Sequence, residues 1–238
     1  MASRSDPVEE AADDDRDLYD VATWEERTSL DGLSVALYWL LTRSAKLFVV
    51  LLAGVILLAI LASFGLGLLF DPAVAALVGL SALPAFGLAA YVYVSDVTTA
   101  EPLSLLVATF LLSVLTATFA AVLNDLARPL FAPLGYVGLV LFFFLIVGPV
   151  EETVKLLAVR LYAYTDARFD AVIDGAVYGA IAGLGFAVIE NLVYIAQNVE
   201  LEELTFGVAA LGAGDGIAAL RALAGQGHVI YSAFAGYY

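Results

Sequence analysis

The chain has 238 residues, of which 62% are hydrophobic and only 15% charged, and its formal net charge is −15. A soluble domain is about 45–50% apolar and about 25% charged, so this composition, with a mean hydropathy of +0.94, excludes an ordinary soluble core. The absence of cysteine excludes disulfides and thiolate metal sites, and 25 acidic against 10 basic side chains argue against a nucleic-acid partner.

Residues 1–46 read as an acidic N-terminal tail. The first 31 residues hold eleven acids against Arg4, Arg16 and Arg27, with neither the basic start nor the apolar centre of a signal peptide. Such a segment is solvated and partly disordered, and its Lys-poor acidity suits a high-salt cytoplasm. Leu33 to Leu41 is expected as an interfacial amphipathic helix.

Residues 47–238 predict an all-α, polytopic transmembrane bundle of about six spans, since an apolar run of about 20 residues crosses a bilayer. The first runs from Leu47 to Phe70, and Asp71-Pro72 turns into the second, Ala73 to Val94. The polar link Ser95–Pro102 leads to a third, Leu103 to Leu123. A loop from Asn124 to Pro133 carries Arg128 and two prolines, which stop and restart helices. The fourth span, Gly135 to Tyr162, is kinked at Gly148-Pro149. The fifth is Ala171 to Gln197; after an acidic loop with Glu200, Glu202 and Glu203, the sixth runs from Ile217 to the end. Because Tyr237-Tyr238 lies inside an apolar stretch, the sequence reads as a C-terminally truncated piece of a longer membrane domain.

Arg43 and Lys46 before the first span share a side with Arg160 and Arg168, which predicts a multi-pass plasma-membrane protein with a cytoplasmic N-terminus. Ala171, Gly175, Gly179, Gly183 and Ala187 form a small-residue stripe that lets another helix approach closely.

An ionisable side chain in hydrocarbon costs about 2.5–3.5 kcal/mol, so each marks a functional hypothesis. They gather as Glu151, Glu152 and Lys155 on the fourth span, Glu190 on the fifth, and His228, the only histidine, on the sixth. Glu151, Glu190 and His228 lie roughly 10–24 Å deep at about 1.5 Å per residue. Glu151 and Glu152 are about 100° apart, and Lys155 reaches either, so one glutamate works while the other pairs with the lysine. Phe186 shares a face with Glu190 and can wall its pocket.

Three glutamates against one lysine leave an excess of negative charge that recruits protons or a cation. Two carboxylates, an imidazole and a water make a catalytic zinc shell; equally, a glutamate can serve as general base for water without a metal. Both routes lead to hydrolysis. The plainer alternative makes Glu152–Lys155 an intrahelical ion pair, and Glu190 and His228 interhelical hydrogen-bond partners.

At these residues the sequence resembles the PrsW family of intramembrane proteases, distant relatives of the CAAX-processing and bacteriocin-immunity proteases. The family's EExxK, FxxxE-Asn and later His motifs match Glu151-Glu152-x-x-Lys155, Phe186-x-x-x-Glu190-Asn191 and His228, with Phe169-Asp170 and Asp174-Gly175 between them. The resemblance covers about Gly148 to Tyr238. It implies a transmembrane protease domain over 47–238, hydrolysing membrane-bound proteins such as anti-sigma factors. By carry-over, Glu151 would activate water, supported by Glu152 and Lys155. Glu190 and His228 would hold a divalent metal such as zinc with Glu151, or position the water and stabilise the oxyanion. Glu190 stands where the CAAX relatives bear His, and Ser232 where they carry Asn or Asp. The competing readings are a proton- or cation-coupled transporter with Glu151, Glu190 and Asp174 as relay, and a non-catalytic membrane scaffold.

Overall fold

A computed structural model describes residues 28–98, 101–199 and 212–238. Most of the acidic tail and the loop bearing Glu200, Glu202 and Glu203 lie outside these residues. The chain divides into two compact units, Met1–Leu47 and Phe48–Tyr238, and no strand occurs among the described residues.

Helix α1, Ser29–Phe64, begins with a reciprocal cap. The Thr28 N–H donates to Asp31 Oδ2 at 2.9 Å, and the Asp31 N–H to Thr28 Oγ1 at 3.2 Å. The separate interfacial segment expected at Leu33–Leu41 is part of this one unbroken helix. No Gly or Pro interrupts residues 33–53, and Thr42 Oγ1 satisfies itself on the Tyr38 carbonyl at 2.9 Å. The helix stops at Phe64, short of the expected Phe70, because Gly65 takes a left-handed φ of 77°. A single helical turn, Leu66–Leu69, follows.

Helix α2, Pro72–Val94, starts as the Asp71-Pro72 sequence dictates: the Asp71 carboxylate accepts from the Ala73 N–H at 2.7 Å, and Pro72 needs no acceptor. Helix α3, Leu103–Phe131, runs through the expected Asn124–Pro133 loop. Pro129 removes one hydrogen bond without stopping it. The reversal falls instead at a 3₁₀ turn, Ala132–Leu134, ending on Gly135 with φ 58°.

Helix α4, Gly135–Phe142, leads through a π-helical turn, Phe143–Val147, into α5, Gly148–Leu161. The interruption expected at Gly148-Pro149 therefore occupies the preceding turn. Pro149 lacks an N–H and crowds the carbonyl four residues back, and the widened turn absorbs that clash, with the Gly148 N–H reaching the Phe143 carbonyl. The segment Leu103–Thr165 folds back on itself. Leu105 and Leu106 cluster with Val159 and Ala163, Ala117 and Ala120 with Val154, and the Phe131 and Phe142 rings meet at 5.8 Å. Numbers rise on one arm as they fall on the other, which defines an antiparallel hairpin.

Helix α6 is Val172–Asn198 and α7 is Ala213–Tyr237. Left-handed backbone at Asp215 (φ 54°) and Gly216 (φ 76°) isolates the first turn of α7, so its regular part begins near Ile217. Helix α6 is central, with 78% of its apolar window buried. Its stripe receives α7 in antiparallel register: Gly175 faces the Gly236 carbonyl, Gly179 that of Ser232 and Gly183 that of His228. A side chain at any of these glycines would hold the helices apart, so their absence sets where His228 sits.

Among the described residues, four helical stretches are long and apolar enough to cross a membrane: Ser29–Phe64, Pro72–Val94, the hairpin Leu103–Thr165, and Val172–Asn198. Helix α7 is not among them, because Arg221, Gln226, His228 and several glycines lower its hydropathy. The chain is an all-helical, multi-pass membrane protein.

Candidate active site

The first turn of α5, the second half of α6 and the middle of α7 deliver their polar side chains to one place inside the bundle. Glu151, Glu190 and His228 each offer a ligand atom, and these atoms lie within 4.8 Å of one another. The closeness follows from local structure. Glu151 enters on the turn re-aimed by Pro149, Glu190 sits one turn beyond Phe186, and His228 is pinned by its own carbonyl against Gly183.

Lys155 is 2% exposed and its Nζ donates to Glu152 Oε1 at 2.7 Å. The same nitrogen lies 3.0 Å from His228 Nδ1. An ammonium has no lone pair, so Nδ1 must accept and Nε2 must carry the proton; Nε2 then donates to Glu190 Oε2 at 2.7 Å. Glu152 Oε2 also accepts from the Ser232 hydroxyl at 3.2 Å. Phe186 walls the group: its ring is 4.9 Å from the imidazole, and Lys155 Nζ stands 4.5 Å above it.

Glu151 is different. Its Oε2 lies 3.8 Å from His228 Nδ1, beyond hydrogen-bond range, and its side chain keeps 12% exposure. Among the described residues it is the carboxylate of this group left without a hydrogen bond. The helical spacing predicted one paired and one working glutamate, and the geometry sorts them as Glu152 with Lys155 and Glu151 unpaired.

Sequence reasoning missed Arg221. Its Nη2 pairs with Glu190 Oε2, its Nε donates to Asn191 Oδ1 at 2.9 Å, and its guanidinium stacks 4.4 Å over Tyr194. Asn191, fully buried, passes the chain on to Ser81 Oγ at 3.0 Å. A signal existed: Arg221 stands seven residues before His228, on the same face two turns away. With Arg221 included, three carboxylates face two cations, so the excess negative charge is smaller than the sequence count suggested. Asp174 does not join this group. It lies sixteen residues before Glu190, about 24 Å along α6, beside Asp96 and Glu101, which breaks the expected relay with Glu151 and Glu190.

The donor set suits a divalent ion in kind and number: two carboxylates and an imidazole within 4.8 Å leave a fourth position open. The contact that opposes an ion is the Lys155 ammonium on Nδ1, where a metal-binding histidine usually meets an acceptor.

Fold and site together define a polytopic membrane protein with an acid–imidazole centre assembled from three helices. Residues 101–238, more than half of the chain, match the family described as PrsW family intramembrane metalloprotease, and the chain belongs to that family. It is 33% identical over 105 residues to "Protease PrsW" of Clostridioides difficile (43% of this chain, 44% of that protein). It is 32% identical over 125 residues to that of Geobacillus kaustophilus (51% and 53%), and 30% identical over 131 residues to that of Bacillus subtilis (50% and 54%). The chain thus spans about half the length of the curated relatives it matches. No solved structure matches it significantly.

Proposed function

We propose that this chain carries the catalytic centre of an intramembrane endopeptidase that hydrolyses peptide bonds of membrane-bound proteins, of the anti-sigma-factor kind that the family resemblance suggests. The observation that carries the reading is the convergence of Glu151, Glu190 and His228 within 4.8 Å, with Glu151 3.8 Å from the imidazole and making no hydrogen bond among the described residues. A carboxylate without a partner in a partly dry site is a competent general base. Glu151 takes a proton from water as the oxygen bonds to the scissile carbonyl carbon. The carbonyl electron pair moves onto oxygen, where Lys155, with one N–H not taken by Glu152 or His228, is the nearby donor. Collapse expels the amide nitrogen, which receives the proton held by Glu151.

Glu152 orients Lys155, while Arg221, itself held by Asn191, fixes the Glu190 carboxylate that orients the imidazole. Glu151, Glu190 and His228 would hold a divalent ion such as zinc, which would supply Lewis acidity and lower the pKa of a bound water. A small recess of about 40 Å³ with an apolar lining of Ile60, Ala117, Ala121, Phe186 and Val193 reaches Glu190. In this reading the hairpin and α7 bring the crossings to six, with the N-terminus cytoplasmic in the plasma membrane.

The test is cleavage of a model transmembrane substrate by the chain reconstituted in liposomes. Glu151→Gln is expected to abolish cleavage while helix content and insertion persist; a variant that still cleaves at the wild-type rate refutes the assignment. Flux across sealed vesicles without proteolysis would support a transporter instead.

A further inference from the structure

Three more carboxylates meet at the end of α6 remote from Glu190. Asp96 follows α2, Glu101 precedes α3, and Asp174 lies in the first turn of α6. Each offers one oxygen, and these oxygens lie within 4.8 Å of one another. Glu101 is 3% exposed and Asp174 1%.

One oxygen of each carboxylate is held by donors. Asp174 Oδ2 accepts from the Asp170 and Ala171 backbone N–H groups at 2.9 and 2.8 Å. Asp96 Oδ1 accepts from the Thr98 N–H at 2.8 Å and its hydroxyl at 2.7 Å. Glu101 Oε2 accepts from the Tyr178 hydroxyl. The other oxygens are left over. Asp96 Oδ2 and Glu101 Oε1 are buried without any hydrogen-bond partner. Asp174 Oδ1 has the Thr98 hydroxyl at 3.4 Å, already committed to Asp96.

Among the described residues no Lys or Arg pairs with this trio. Arg168, the nearest base in sequence, clasps Asp166 through Nε at 2.7 Å and Nη2 at 2.9 Å and holds that carboxyl down at about 2. Buried oxygens left unsatisfied are expensive, and three like charges in low dielectric repel. A single proton would satisfy one oxygen pair; a divalent cation would satisfy all three carboxylates at once.

The chemistry of the donors selects the ion. Oxygen ligands without imidazole or thiolate favour hard cations over zinc. Calcium accepts such carboxylates in flexible geometry with bonds of about 2.3–2.6 Å, whereas magnesium demands a near-ideal octahedron at about 2.0–2.1 Å and keeps several of its waters. We propose that Asp96, Glu101 and Asp174 form a second cation site that takes Ca²⁺ and clamps the end of α2 and the start of α3 to the start of α6. This site is independent of the catalytic reading.

The experiment uses the full chain in lipid nanodiscs, stripped with chelator and titrated with CaCl₂ or MgCl₂ by calorimetry, with the unfolding midpoint as second readout. Saturable Ca²⁺ uptake and a raised midpoint are expected, with a weaker Mg²⁺ response. Asp96→Asn should weaken Ca²⁺ at least tenfold, whereas Glu151→Gln and His228→Ala should leave it unchanged. Asp174 is avoided because it also holds the start of α6; if Asp96→Asn misfolds, the isosteric Glu101→Gln must give the same loss. Ca²⁺ binding that survives both substitutions, or that disappears with Glu151→Gln, overturns the proposal. So does a midpoint that responds to pH but not to Ca²⁺, which would mean a shared proton only.

Discussion

Gly183→Ala tests whether the small-residue stripe positions His228, the histidine of the proposed site. A Cβ at Gly183 would collide with the His228 carbonyl, with the carbonyl carbon at 2.7 Å and Val229 Cα at 2.8 Å. Carbon atoms in contact sit about 3.5–4.0 Å apart, so α7 must retreat by about 1 Å, and the obstacle is backbone that has no rotamer to escape into. Such overpacking costs about 1–3 kcal/mol, and a 1 Å displacement of a catalytic group can cost about 10²-fold in rate. We expect roughly that loss in the liposome cleavage assay, with a lowered unfolding midpoint. Gly79→Ala and Gly87→Ala, where an added Cβ meets nothing within 4 Å, should be silent. Gly175→Ala presses on the same interface against Gly236, but eight residues and about 12 Å along α6 from Gly183 and farther still from Glu190, so it should lower stability comparably and rate less. Wild-type cleavage by Gly183→Ala would refute the argument, as would equal rate losses at positions 183 and 175 with matched stability.

Arg221→Met leaves the Glu190 carboxylate, 20% exposed, without its guanidinium partner; breaking a buried pair costs about 3–5 kcal/mol, and thermal unfolding should register most of that, with Arg221→Lys recovering part. Ser232→Ala deletes only the 3.2 Å bond to Glu152, which Lys155 still holds, so stability should fall by about 1 kcal/mol and cleavage stay within a few-fold. Removing divalent ions with a strong chelator should stop cleavage, and zinc should restore it; full activity of ion-free protein, verified by elemental analysis, would assign the chemistry to Glu151 and His228 alone.

Much of the architecture was legible in the sequence, and the failures are instructive. The Asp71-Pro72 start of α2 and the extent of α6 follow from local chemistry, and so does the Glu152–Lys155 pair at i and i+3. Pro129 was misread as a helix stop: α3 carries it for two more residues, to Phe131, at the loss of one backbone hydrogen bond. The kink assigned to Gly148-Pro149 moved to Phe143–Val147 because the strain of a proline falls on the turn before it.

What the amino-acid sequence alone determined is what repeats along one helix: which segments are apolar enough for a membrane, which side chains share a face, and which stripe lacks side chains. Which helix fills that stripe was a tertiary matter. So were the pairing of Arg221 with Glu190 and the meeting of Asp96 and Glu101 with Asp174, residues more than 70 positions apart. The physical reason is range. Backbone hydrogen bonds set geometry over three to four residues, whereas contacts between distant segments exist only after the chain has packed, and one ångström there decides whether two charges meet.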